Sequence, residues 1–144
     1  MGLSESEIES IPELRLGLLR LSRRLRQERP LDALTPSQVA VLATLVRQGP
    51  STPGQIAEGE RIKPPSVTRI LASLEDEGLI TREPDPQDGR QVIINLTERA
   101  QTRIAASREA KNVWLRQQLD QLSSEERARI LSVAPLLNRL AMAD

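Results

Sequence analysis

Apolar residues along this chain recur at helical spacing almost everywhere, and alternate at one place only. Val67, Ile70, Leu71 and Leu74 fall at i, i+3, i+4 and i+7, the buried face of a helix. Pro64 suits its first position and Gly78 the position just past its end. Leu79–Glu83 and Gln91–Leu96 then read as β-branched or alternating runs. Between them Pro84-Asp85-Pro86-Gln87-Asp88-Gly89 supplies turn chemistry, with Gly89 free to take a positive φ. From Arg61 to Thr97 the pattern therefore predicts a helix, a glycine stop and a β-hairpin, a winged helix in outline.

The remaining pattern is helical. Ser10-Ile11-Pro12-Glu13 has capping-box spacing and predicts the start of a helix that Pro30 ends. Leu14, Leu18, Leu21 and Leu25 give it a narrow apolar seam, flanked by Leu16 and Leu19, with arginines over much of the remainder. Such a seam suits packing across a two-fold axis, or else a surface helix over the chain's own core. Thr35-Pro36-Ser37-Gln38 opens a second helix carrying Val39, Val41, Leu42, Leu45 and Val46, stopped by Gln48-Gly49-Pro50. Thr52-Pro53-Gly54-Gln55 opens a third, short one with Ile56 and Ala57 inward, ended by Gly59. Its turn into the Pro64 helix completes a helix-turn-helix.

After Thr97 a helix of about 25 residues, roughly 37 Å, is expected to run to Leu122. Arg108, Lys111 and Asn112 interrupt the stripe that Ile104 begins, which fits a structural ion pair, a hinge or one wall of a ligand pocket. Trp114 reads as core, interface or ligand stacker. Ser123-Ser124-Glu125-Glu126 caps a last helix bearing Ile130, Leu131, Val133, Leu136, Leu137 and Leu140. Pro135 lies in its interior, at a cost of about 3 kcal/mol or a kink. So apolar a terminal helix is best buried against a second copy.

Composition narrows the chemistry. At 144 residues one domain is the expectation. With one Trp and no Phe or Tyr, the core must be Leu, Ile, Val and Ala, which favours helices. The 20 basic and 20 acidic residues cancel, so no global field draws nucleic acid, and only local clusters at 15–29 and 61–69 could. Cys and His are absent, which excludes thiol redox switching, Cys/His zinc sites and histidine-based acid–base or triad catalysis. Asp85 and Asp88 near Gly89 do not make a calcium loop, because Asn95 holds the place of its last acid and Pro84 and Pro86 interrupt it. No carboxylate pair has a partner base, so neither an enzyme nor a cofactor is expected. No apolar run approaches the ~20 residues of a membrane span and no signal pattern opens the chain, leaving a cytoplasmic location and no membrane partner as the expectation.

The exposed side of the central helix carries the functional signal. From Arg61 to Leu74 there are three basic residues, Arg61, Lys63 and Arg69, and no acid. Ser66, Thr68, Arg69 and Ser73 lie on or beside the face opposite Val67 and Leu74, where short polar groups and one Arg fit a major groove. Arg61 and Lys63 would hold phosphates. Arg90, after the loop tip, would enter a narrow, negative minor groove. Pro64 and Pro65 remove two free N–H groups, leaving those of Ser66 and Val67, their hydroxyl neighbours and Lys63 to bind an anion, so no strong phosphate site is expected from the backbone alone. The plainer alternative is a solvated helix beside an ordinary hairpin.

Ser66-Val67-Thr68-Arg69, the run Leu74-Glu75-Asp76-Glu77-Gly78-Leu79-Ile80-Thr81-Arg82, and Asp88-Gly89-Arg90 followed after five residues by Leu96-Thr97 together resemble the MarR family of bacterial transcription regulators. The likeness covers essentially the whole chain by length and helix order. It implies a winged-helix homodimer that binds palindromic double-stranded operator DNA, usually as a repressor released by a small ligand. It implies that Asp88 orients Arg90, where the residues alone allow Asp88 simply to cap its own turn. It also implies an aromatic or anionic effector between the dimer helices and the DNA-binding lobe; the residues read above as a possible pocket wall, Arg108, Lys111, Asn112 and Trp114, are the candidates to meet it. The family's cysteine-based peroxide sensing is closed to a chain without cysteine.

The expectation is thus a mainly α protein with a small β-hairpin wing, a single MarR-type domain over 1–144. Residues 8–30 and 98–144 form dimerisation helices, and 35–97 the winged helix-turn-helix. The expected DNA contacts are Arg61, Lys63, Ser66, Thr68, Arg69, Ser73, Asp88, Gly89 and Arg90. A winged helix that binds protein through its apolar seams, without DNA, is the alternative, and the zero net charge favours it.

Overall fold

A computed structural model of the protein describes residues 2–28, 31 and 34–143. The expected helix end at Pro30 lies outside the described residues. The chain divides into two compact units, one of residues 29–108 and one of 1–28 with 109–144.

The 29–108 unit is a winged helix. It contains α2 (Pro36–Gln48), α3 (Pro53–Glu60), α4 (Pro64–Asp76), β1 (Ile80–Pro84), β2 (Val92–Leu96) and the first turns of α5 (Glu98–Asp120). Thr35 and Thr52 cap α2 and α3 in full capping boxes, with Gln38 and Gln55 returning the bond to the cap. Val41, Leu42, Leu45, Ile56, Val67, Leu71, Leu74, Leu79, Ile80, Ile94 and Ala100 form one closed core. Val46, expected inward, is exposed, because α2 buries the Gln38, Val41, Leu42, Thr44 and Leu45 stripe instead.

Two helix ends decide how α4 is placed. Gly59 does not end α3; it lies inside the helix, where an added Cβ would come within 2.8 Å of Gln48 Nε2 on α2. The turn is made by Arg61, the one non-glycine with positive φ among the described residues, at φ 53°. Its N–H bonds to Glu58 O and that of Ile62 to Ala57 O. At the far end Gly78 (φ 71°) turns the chain, with Leu79 N bonded to Leu74 O and Gly78 N to Glu75 O, a Schellman motif that buries Leu74 against Leu79.

β1 and β2 pair antiparallel, Ile80 opposite Leu96 through Pro84 opposite Val92. Ser51 adds a bridge to Ile94 through two backbone bonds, 3.2 and 2.7 Å. Thr97 then donates its hydroxyl to Gly78 O at 2.7 Å and accepts Ala100 N, starting α5.

In the other unit α1 (Glu5–Gln27), the rest of α5, α6 (Ser124–Ser132) and α7 (Ala134–Ala141) are helical. The first helix opens earlier than Ser10 suggested. Ser4 and Glu7 form its capping box, while Ser10 donates to Ser6 O and Pro12 lies in the helix interior. The last segment is two helices rather than one kinked helix. Pro135 falls in the first turn of α7, where a missing N–H costs nothing, and Val133 separates α6 from α7. No described residue of α1, α6 or α7 is buried.

Candidate nucleic-acid interface

The sequence dictates that α4 shows one face to the core and another outward. Val67, Leu71 and Leu74 are buried; Pro65, Ser66, Thr68, Arg69 and Ala72 are exposed. Arg61 and Lys63 flank the N-terminus, both exposed. Among the described residues no ion pair engages Arg61, Lys63, Arg69 or Arg90, so these cations remain available to an anion. That N-terminus offers no strong backbone anion site, in keeping with its two prolines. The N–H groups of Ser66 and Val67, expected to be free, both donate to Lys63 O, at 3.0 and 3.3 Å.

The hydroxyls differ. Thr68 donates to Pro64 O at 3.2 Å, leaving its oxygen outward as an acceptor. Ser73, expected to face a groove, is half-buried and turned into the lobe. It accepts from Gln38 Nε2 at 2.9 Å and donates to Ile70 O at 2.7 Å. Gln38 is the residue that sequence reasoning missed here. Its Oε1 closes the α2 capping box on Thr35 N while its Nε2 reaches α4, and only the first role was visible as spacing. Thr44, Arg47 and Glu60 were missed as well. Buried Thr44 donates to Glu60 and Arg47 bonds back to Thr44, a polar clasp between α2 and α3.

The wing loop is built by its own acids. Asp85 Oδ1 accepts Gln87 N at 2.9 Å, and Asp88 Oδ1 accepts Arg90 N at 3.1 Å. Asp88 thus fixes the backbone of Arg90. The contact observed is that of the turn-capping reading, and it is with the main chain rather than the guanidinium. Gly89 does not adopt a positive φ, and a Cβ there would meet nothing, so its backbone freedom is unused.

Away from this face, a cavity of about 380 Å³ opens in the 29–108 unit, its lining including Leu45, Val46, Leu96, Ile104 and Arg108. Of the four residues expected at an effector pocket only Arg108 lines it. Lys111 and Asn112 continue the Gln101–Ile104–Arg108 stripe of α5, but the lining stops at Arg108. Trp114 lies on another side of that helix, its ring covered by the Arg24 guanidinium 5.2 Å from the centroid.

A recognition helix whose N-terminal part is cationic and free of acids from Arg61 to Leu74, beside a β-wing, defines a winged-helix DNA-binding protein. The family model described as MarR family matches residues 34–92. An uncharacterised HTH-type transcriptional regulator of Mycobacterium bovis, Mb0904, is 40% identical over 140 residues, 97% of this chain and 96% of its own. The HTH-type transcriptional repressor MdtR of Bacillus subtilis is 27% identical over 143 residues, 96% of this chain and 90% of its own. A crystal structure from Pseudomonas aeruginosa PA01 superposes with a TM-score of 0.84 at 29% identity, covering 99% of this chain and 100% of that one. The chain belongs to the MarR family, and is a DNA-binding transcriptional regulator of that family. Among the described residues no helix is long and apolar enough to cross a membrane.

Proposed function

We propose that this regulator works in the cytoplasm as a homodimer that occupies a palindromic operator and represses transcription. The observation that carries the reading is the outward stripe of α4. Ser66, Thr68 and Arg69 are exposed on the helix, Arg61 and Lys63 are exposed at its start, and Arg90 is exposed on the wing. In this reading Arg69 reads a base edge, Arg61 and Lys63 hold phosphates, and Arg90 enters the minor groove. Asp88 and Gly89 shape the tip, and Ser73 packs α4 rather than touching DNA.

Leucines that a monomer leaves in water support the dimer. Leu14 and Leu21 on α1 are 54% and 42% exposed, and Leu136 and Leu140 on α7 are 47% and 66%. Covering such side chains yields about 1.5–3 kcal/mol each, and an interface of this kind buries more than ~2,000 Å². Repression is supported by the name of the Bacillus subtilis relative. A small anion with an apolar body suits the cavity, whose wall is mostly aliphatic with Arg108 at one side. Selecting duplexes from a random pool tests the whole reading. Inverted half-sites about 10 bp apart are expected; a single unrepeated site, or a monomer at low micromolar concentration in sedimentation equilibrium, would overturn it.

A further inference from the structure

We propose that the Glu75–Arg82 ion pair is a positioning device that sets the angle of the wing against the recognition helix. This rests on the DNA-binding reading above and adds two residues to it. The starting point is an anomaly. Glu75, Asp76 and Glu77 crowd the C-terminal end of α4, where the helix dipole already disfavours negative charge and where DNA phosphates would repel it. Two of the three are paired with other elements. Glu75 Oε2 accepts from Arg82 Nε on β1 at 3.0 Å, and Glu77 Oε2 lies 3.8 Å from Arg103 Nη1 on α5.

The place of Arg82 gives its pair leverage. Ile80 is the one buried residue of β1, and Ile94, which faces Arg82 across the hairpin, is the one buried residue of β2. Beyond that level, residues 83–92 carry no buried side chain. The wing is therefore held at its base by the core and by the Ser51 bridge, and projects from there without packing. From Ile94 to Arg90 is about 14 Å at strand rise, so a tilt of about 10° at the base would move Arg90 by roughly 2 Å. That is enough to lose a groove contact. Glu75–Arg82 is the ion pair, among the described residues, that ties α4 to β1 at the last core-supported level. Both partners are partly exposed, 47% and 33%, so the pair does little for folding. What it can fix is an angle.

The test uses the full-length protein and the duplex that the wild type selects from a random pool. Binding of Glu75→Gln, Arg82→Gln, Arg82→Glu and the swap Glu75→Arg/Arg82→Glu is titrated at two salt concentrations. Matched A·T-rich and G·C-rich flanks are compared. Removing an acid beside DNA should, by charge alone, tighten binding. The positioning role predicts the opposite sign. Glu75→Gln should bind about two- to fivefold more weakly, the strength of a surface pair. The loss should be largest on A·T-rich flanks, with salt slope and thermal midpoint unchanged. The swap should bind more tightly than Arg82→Glu alone. Equal or tighter binding by Glu75→Gln overturns the proposal. So does a slope about 0.9 shallower for each Arg82 removed, which would make Arg82 a phosphate contact. A wild type that selects no duplex would overturn the DNA-binding reading itself, and the pair's role with it.

Discussion

Arg61→Gly should make the protein more stable and a poorer DNA binder. Arg61 turns the chain between α3 and α4 at φ 53° and ψ 38°, a left-handed conformation in which a side chain costs about 1–2 kcal/mol. Glycine removes that strain but gives back about 0.5–1 kcal/mol through the freer unfolded chain. The net gain is about 0.5–1 kcal/mol, or roughly 2–3 °C in thermal midpoint at fixed protomer concentration. On DNA the same change removes one exposed cation at the start of the recognition helix. If Arg61 neutralises a phosphate, the slope of log K against log salt becomes shallower by ~0.9 per protomer. Arg61→Lys should restore the slope and leave the strain. Thermal unfolding and operator titration at several salt concentrations measure both halves. A destabilised glycine variant refutes the strain argument; an unchanged affinity and slope refute the phosphate contact.

Ser73→Ala should cost about 1 kcal/mol in denaturant unfolding, because Gln38 Nε2 loses its acceptor, and should leave base preference unchanged. A changed preference in a selection experiment would return Ser73 to the interface. Gly59→Ala should be neutral or stabilising, since helix propensity gains about 1 kcal/mol and the nearest atom is the flexible end of Gln48. A clear destabilisation would show that the α2–α3 contact cannot give. The Glu7 carboxyl is held below its ordinary 4.5 by the Ser4 backbone N–H and then by the Ser4 hydroxyl. Because the folded value is the depressed one, this support is complete above pH 4.5 and is lost as pH falls through the lower folded value. Amide exchange at the start of α1 should quicken there, and a Glu7→Gln variant with the same acid dependence would contradict the assignment.

The sequence made the winged helix legible because its signals were local and mutually consistent. Thr35 and Thr52 each carried a capping box, Gly78 a helix stop, and Val67 to Leu74 a clean helical stripe. Where two local signals competed, spacing could not choose. Ser4–Glu7 and Ser10–Glu13 both have capping-box spacing, but only the first forms the box, and the start of α1 was read at the second. Pro135 was equally consistent with a kink and a fresh helix start. Gly59 was read as a stop because its surroundings, the side chain of Gln48 on another helix, are not local. The site was legible as charge and exposure, in Arg61, Lys63, Arg69 and Arg90. It was not legible where hydrogen bonding redirected a side chain, as at Ser73. The effector residues could be read only as a stripe. A stripe along α5 says which residues share a face, but not where along the helix other elements supply a wall.

The central claim is that α4 and the wing read DNA through Arg69 and Arg90. Operator titration of Arg69→Ala and Arg90→Ala, on sites differing only at single half-site positions or only in their flanks, tests it most directly. Arg69→Ala should cost ~1–3 kcal/mol and relax preference at one position of each half-site. Arg90→Ala should lose affinity most where the flanks are A·T-rich and the minor groove narrow. Wild-type affinity and wild-type preference in both variants would contradict the account.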